Sequence, residues 1–226
     1  MSTGPGAAIV RVHNLSKRYG SFVAVSDASF SINSGEVLGV IGPNGSGKTT
    51  LLEMLGGVLP PDSGTVELTG GVARPALFYL PDGITPWAEQ TVNWVLDFTI
   101  GFFGGRGDLR TQVVDRLALG AFLRSPLSTL SKGQRKRTML ACGLLTRHPV
   151  LLADEPFDGL DLRQTREVTQ YLKEVAATGR TLLVSIHQIS EAARLCDRFV
   201  LLSGGRVRAE AAIPAAQLEE VFLALT

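Results

Sequence analysis

At 226 residues the chain is long for one small domain and short for two. Its 45% hydrophobic content and mean hydropathy of +0.19 predict one well-packed unit carrying an insertion. The 22 basic and 21 acidic residues leave a net charge of +1, without the global cationic excess of a nucleic-acid binder, so no nucleic-acid partner is expected. Cys142 and Cys196 lack CxxC spacing and neighbouring histidines, which predicts buried, reduced thiols rather than a redox or zinc pair.

The opening MSTGPGAAIV has neither the charged n-region nor the long apolar h-region of a signal peptide, and none is expected. Short strands separated by Gly, Ser and Asn follow, from AIVRVHNLSKRYG to ASFSINSGEVLGVIG. EVLGVI runs into a glycine-rich loop, and TTLLEMLGGVL then has helical spacing until PPDSG stops it. TVELTG and ALFYL are further strand candidates. From Asp82 the pattern turns helical: TVNWVLDFTIGFF, RTQVVDRLALG and KGQRKRTMLACGLLTR. Its most apolar stretch, WVLDFTIGFF, contains Asp97 and is about half the ~20 residues a spanning helix needs. The chain is thus expected to be soluble, reaching a membrane only by docking on a membrane protein.

Beyond the helical block come the strand VLLAD, the helix LRQTREVTQYLKEVAATG, the strand TLLVSI, the helix ISEAARLCDR and the segment FVLLSGGRV. Alternating strand and helix predicts an α/β fold with a mostly parallel sheet covered on both faces. The expected organisation is an α/β core over residues 9–81 and 141–207, with a β-subdomain. A helical insertion occupies 82–140, and a helical tail 208–226.

GPNGSGKT, residues 42–49, fits G-x-x-x-x-G-K-[ST] between a strand and a helix, the context that pattern requires. Gly42, Gly45 and Gly47 allow a tight turn that aims successive N–H groups inward at a helix N-terminus, with Pro43, Asn44 and Ser46 the remaining loop residues. Lys48 supplies a point charge for the β- and γ-phosphates of a nucleoside triphosphate. Thr49 supplies a hydroxyl for Mg²⁺, with Thr50 beginning the helix behind it. VLLADEP, residues 150–156, is an apolar strand whose C-terminal end presents Asp154 for the hydration shell of Mg²⁺ and Glu155 as general base. His187 ends another core strand, level with the phosphates; it is either a contact to the γ-phosphate or a structural residue capping the next helix. His13 and His148 have no such context and read as surface or packing residues.

The ordered set Tyr19, GPNGSGKT, LSKGQ, VLLADEP, DGLD (158–161) and His187 resembles that of ATP-binding-cassette (ABC) ATPase subunits, over residues 9–207. The resemblance implies a P-loop α/β core with an antiparallel β-subdomain and an inserted helical subdomain. It also implies that Tyr19 stacks on adenine, that Glu155 is the catalytic base and that His187 is the switch histidine. ATP and Mg²⁺ are the implied ligands. A second ATPase subunit, identical or a paralogue, would complete each site head to tail. Ser131, Lys132, Gly133 and Gln134 would face the γ-phosphate held by that partner, with Asp161 at the same interface. An integral membrane permease is the further partner implied, which places the chain at the cytoplasmic face of the membrane.

Two positions depart from the family pattern. Lys132 stands where Gly is usual, tolerable if the backbone there needs no positive φ, and its ammonium is a candidate contributor to the field on the γ-phosphate. Asp82, in FYLPDGITPW, aligns with the family's Gln; it is either a metal or water contact or part of a turn-forming Pro-Asp-Gly. Trp87 and Trp94 flank that loop and suit a docking groove for a transporter helix, although Trp94 fits a core position equally well. Arg135–Arg137 read as a solvated helix face or a partner contact. The ending LEEVFLALT resembles exporter-type ATPases and is also a generic amphipathic helix. The alternatives are a soluble non-transport ABC ATPase and a regulatory cassette of low turnover. The insertion lacks the sustained heptads of the first, and Glu155 speaks against the second. A GTPase lacks its NKxD motif here.

Overall fold

The computed structural model describes residues 6–69, 77–212 and 215–225. Gly70 and Ala76, at the edges of two expected strands, lie outside the described residues. Strands β1 (Ala8–Tyr19) and β2 (Phe22–Asn33) form a hairpin whose turn brings Tyr19 opposite Phe22, with Gly20 at φ +60. That left-handed conformation is the one glycine adopts without a Cβ penalty. A strand from Ser63 to Leu68, β4, pairs antiparallel on the other side of β1 and completes a three-stranded sheet.

The larger sheet is built on β3 (Val37–Ile41), β6 (Val150–Asp154) and β7 (Thr181–Ile186). Every residue of these strands is buried, as continuous apolar runs predict for strands covered on both faces. With β5 (Leu77–Leu80), β8 (Arg198–Ser203) and β9 (Arg206–Ala211) the order is β5-β6-β7-β3-β8-β9, parallel except for the β8–β9 pair. Register aligns Val40 and Asp154 with the same residue, Ser185. The loop after β3, the residues after β6 and His187 after β7 therefore emerge side by side at one edge.

Helices α1 (Lys48–Leu55), α5 (Leu162–Ala177) and α6 (Ile189–Leu195) belong to the α/β layers. The inserted block holds α2 (Val92–Phe102), α3 (Arg110–Arg116) and the start of α4 (Lys132–Leu145). Thr91 caps α2 by accepting a hydrogen bond from Trp94 N. One apolar cluster joins this block to the sheet through Leu96, Leu117, Leu127, Leu145 and Phe199; another, with Leu15, Ile32, Leu38 and Leu52, fills the space beneath the antiparallel sheet. Among the described residues no helix is long and apolar enough to cross a membrane.

Four expectations are corrected. α1 ends at Leu55, well before Pro60, with Gly57 at φ +72 just beyond it. Residues 208–211 are sheet, because RVRAEA alternates exposed and half-buried positions with the period of a strand, and the tail helix α7 begins only at Ala215. Arg135–Arg137 are not a solvated face. Arg137 is buried, donates to the carbonyls of Leu117 and Ala118 where α3 ends, and lies over the Phe122 ring. Those carbonyls lack helical partners, which draws a guanidinium inward. Trp94 is 40% exposed rather than core. Cys142 and Cys196 are both free, and burial pushes each thiol up.

Candidate nucleotide site

The loop between β3 and α1 turns on glycines that no other residue replaces easily. Gly47 has φ +102, and a Cβ there would lie 2.2 Å from the Ala24 carbonyl oxygen of β2; one on Gly42 would lie 2.1 Å from the Leu202 oxygen of β8. Close backbone approach from two strands thus forces the loop over the N-terminus of α1. Gly47→Ala combines left-handed strain with this clash and is expected to destabilise the fold by about 3 kcal/mol. Gly45→Ala, at φ +78 but with nothing within 4 Å of its Cβ, should lose less. Urea unfolding of the two variants, compared at equal m, reads the difference.

Tyr19, Asn44, Gly45, Gly47, Lys48, Thr49, Thr50 and Glu155 line one cavity of about 380 Å³, which Phe22 and Ala24 complete. Tyr19 is half exposed at its rim, opposite Phe22, so two rings flank the mouth. Lys48 is buried, and its Nζ donates to the carbonyls of Gly42 and Pro43 at 2.9 and 3.2 Å. Burial lowers its pKa, opposed by the carboxylates of Glu155 and Asp154. Ser46 Oγ is buried without a hydrogen-bond partner.

At the end of β6, Asp154 is buried and its Oδ1 accepts a hydrogen bond from Ser185 Oγ. A buried carboxylate within the field of Lys48 fits a hard divalent cation or its water shell. The Tyr79 hydroxyl faces Asp154 and is pushed up by burial, then by the charges of Asp154, Glu53 and Asp82 and by a hydrogen bond to Asp154. Glu155 follows at φ +45, unusual for a residue with a side chain, and its N–H donates to Ser185 Oγ at 2.9 Å. His187 Nδ1 stands 3.5 Å from Glu155 Oε2. It does not cap α6, whose N-cap is Gln188. His148 packs between the rings of Phe78 and Phe103, and His13 lies near Glu67 on the surface.

The LSKGQ segment opens α4 through a capping box: Ser131 Oγ accepts from Gln134 N, and Ser131 N donates to Gln134 Oε1. Gly133 packs on the DGLD loop, where a Cβ would sit 2.5 Å from the Gly159 oxygen. Lys132 does not point freely outward; its Nζ is 2.5 Å from Asp158 Oδ2, which raises the lysine's pKa and lowers the aspartate's. Asp161 caps α5 by accepting from Gln164 N. Asp82 Oδ1 is held at 2.6 Å by Lys136 and is absent from the lining of the nucleotide cavity, although its carboxylate forms an acidic cluster with Glu155 and Asp158.

Phe22 and Ser185 escaped the sequence argument, as did the ion pairs of Asp158 and Lys136, residues it met only inside DGLD and the 135–137 run. Phe22 was findable from its place beside Tyr19 in the hairpin turn, and Lys136 from its position one helical turn beyond Lys132. Ser185 carried no signal except as a polar residue inside an apolar strand.

A family model described as ABC transporter matches residues 25–158. The Nod factor export ATP-binding protein I of Sinorhizobium fredii is 34% identical, across 91% of this chain and 63% of that protein. The probable multidrug ABC transporter ATP-binding protein YbhF of Escherichia coli is 32% identical, across 90% of this chain and 37% of that protein. The chain thus spans less than two thirds of either relative. A solved structure of an ATP-binding subunit of an ABC transporter superposes with a TM-score of 0.82 at 27% identity, covering 95% of this chain and 94% of that one. With the phosphate-loop geometry, the paired sheets and these matches agreeing, the chain belongs to the ABC transporter ATP-binding family.

Proposed function

We propose that the chain is the ATP-hydrolysing subunit of a membrane exporter. The observation that carries this is the convergence of Lys48, Thr49 and Glu155 on one cavity, with the buried Asp154 carboxylate in the field of Lys48. Tyr19 and Phe22 offer aromatic faces to adenine, and the loop N–H groups with Lys48 bind the phosphates. Thr49 and Asp154 would hold Mg²⁺, which when bound neutralises charge on the β- and γ-phosphates. Glu155 accepts a proton from water, whose oxygen bonds to the γ-phosphorus as the bond to the β-phosphate oxygen breaks. His187, beside Glu155, orients that water or the γ-phosphate.

The LSKGQ segment supports a head-to-tail dimer, because it opens a helix N-terminus suited to a phosphate, yet none of Ser131, Lys132, Gly133 and Gln134 lines the nucleotide cavity of its own chain. Whether the second subunit is a copy or a paralogue is a matter of which chain presents Ser131. A permease completes the machine at the cytoplasmic face of the membrane. Its contact surface is the aromatic run of exposed Trp87, Trp94 and Phe102 with the half-buried Phe98 among them. Trp94 stacks on Phe98 at 5.1 Å and Phe98 on Phe102 at 5.4 Å, and Phe102 is 70% exposed. A stacked apolar surface of this kind marks an interaction site. Export is preferred to import because relatives carry export and multidrug names.

The test is affinity purification from detergent-solubilised membranes. A membrane-spanning subunit is expected to copurify, and the double variant Trp94→Ser/Phe102→Ser should release it while the isolated chain keeps its ATP turnover. An ATP-hydrolysing chain that brings down no membrane protein belongs instead to the soluble, non-transport class.

A further inference from the structure

We infer that Lys136 and Asp82 act as a pair that positions the catalytic base, an inference resting on the ATPase role proposed for Glu155. Asp154 and Glu155 are joined by one peptide group, and both of its polar ends are held from outside the strand. Lys136 Nζ donates to the Asp154 carbonyl at 3.3 Å, and the Glu155 N–H on the same plane donates to Ser185 Oγ at 2.9 Å. Ser185 in turn donates to Asp154 Oδ1. The plane matters because Glu155 sits at φ +45, and a side-chain-bearing residue stays in that region only where its surroundings over-determine it. The direction of the Glu155 carboxylate from the end of β6 is therefore set by a lysine on α4 and a serine on β7.

Asp82 accounts for why an ammonium can stand there. The Lys136 side chain is only 12% exposed, and a charge so far from water needs a counter-charge; Asp82 Oδ1, at 2.6 Å, supplies it. This gives Asp82 a different task from metal binding. Its contact at 2.6 Å is a lysine, it does not line the cavity that holds Lys48 and Thr49, and the cavity it does line also contains Lys132 and Lys136. Lys132, one turn earlier on α4, makes the parallel contact to Asp158, so two successive turns of the helix are tied to the residues around Glu155. Lys136 touches no reacting atom in this arrangement; it is a positioning residue acting through the peptide of the base.

The test is a double-mutant cycle on the full chain, comparing Asp82→Gln, Lys136→Gln and the double variant. ATP turnover, its Mg²⁺ dependence and thermal unfolding are measured for each. Either single change should lower kcat about 10- to 100-fold, the scale of a catalytic group misplaced by about an ångström, and leave KM for ATP unchanged. The double variant restores a neutral hydrogen-bonded pair, with an amide N–H still available to the Asp154 carbonyl, and should recover about tenfold over the weaker single variant. Losses that multiply in the double variant would overturn the pair. So would a raised Mg²⁺ requirement in Asp82→Gln that position 136 does not alter, since that is the behaviour of a metal ligand. If Lys136→Gln does not fold, Asp82→Gln alone decides: lowered kcat at an unchanged Mg²⁺ requirement supports the pair, and a raised requirement overturns it. A wild-type chain that binds ATP without turning it over overturns the ATPase reading and the pair together, whereas an active wild type with multiplying losses overturns the pair alone.

Discussion

Glu155→Gln is expected to reduce ATP turnover by about 10²- to 10⁴-fold, the usual worth of a positioned general base, while ATP binding survives. The substitution keeps the shape of the side chain and leaves untouched the main-chain contacts that aim it, since Ser185 and Lys136 hold the peptide rather than the carboxylate. What disappears is the acceptor for the water proton. Two further consequences follow from charge. Glu155 is one of three carboxylates, with Asp82 and Asp158, whose oxygens lie within 4.8 Å of one another, and removing one negative charge relieves repulsion against an incoming triphosphate. It also withdraws one of the two charges that hold up the Lys48 pKa against burial, Asp154 being the other. The second effect opposes the first, so ATP binding should survive with the nucleotide left unhydrolysed, and a two-subunit species should persist on size-exclusion chromatography with ATP and Mg²⁺. A variant that turns over ATP at the wild-type rate and elutes as a monomer would remove Glu155 from the role of base.

The parts of this site that were legible in the sequence are those in which neighbouring residues set the geometry. The 42–49 loop declared itself because its glycines are demanded by backbone conformation and close approach, as at Gly47 with its φ of +102. Asp154 and Glu155 could be placed at a strand's C-terminal edge because four apolar residues in a row, Val150 to Ala153, read as a buried strand that ends there. Contacts between residues distant in the chain were not legible. Lys136 and Asp82 are 54 positions apart, and nothing local in RKR says that one basic residue meets a carboxylate while the next turns inward to the end of α3. Trp94 posed the same difficulty, because a tryptophan on a strongly apolar helix signals a face without saying what covers it. The strand at 206–211 was missed because its alternation is exposed against half-buried, weaker than the exposed-against-buried contrast of a strand with one face in the core.

Ser131→Asp is expected to abolish ATP turnover, by at least about 100-fold, without lowering the stability of the isolated chain or its affinity for ATP. The choice of aspartate follows from what Ser131 does within its own chain. Its hydroxyl caps α4, and a bulky or apolar replacement would lose that cap, worth about 1 kcal/mol, and confuse instability with lost chemistry. Aspartate is an equally good N-cap, and its charge is favourable at a helix N-terminus, so the capped helix and its packing on Gly159 are preserved. The same charge becomes unfavourable only if this helix end meets a phosphate. In the proposed head-to-tail dimer it would face the γ-phosphate carried by the partner, where a carboxylate repels the group that the serine hydroxyl and the α4 N–H groups would otherwise bind. Ser131→Asp thus separates the two roles of one residue. Mixing experiments sharpen the result: an excess of Ser131→Asp over Lys48→Met chains should leave one competent site, formed by Lys48 of the first and Ser131 of the second, and restore part of the turnover that neither variant shows alone. Full turnover by Ser131→Asp on its own, with the thermal stability of the wild type, would show that the γ-phosphate never meets this segment.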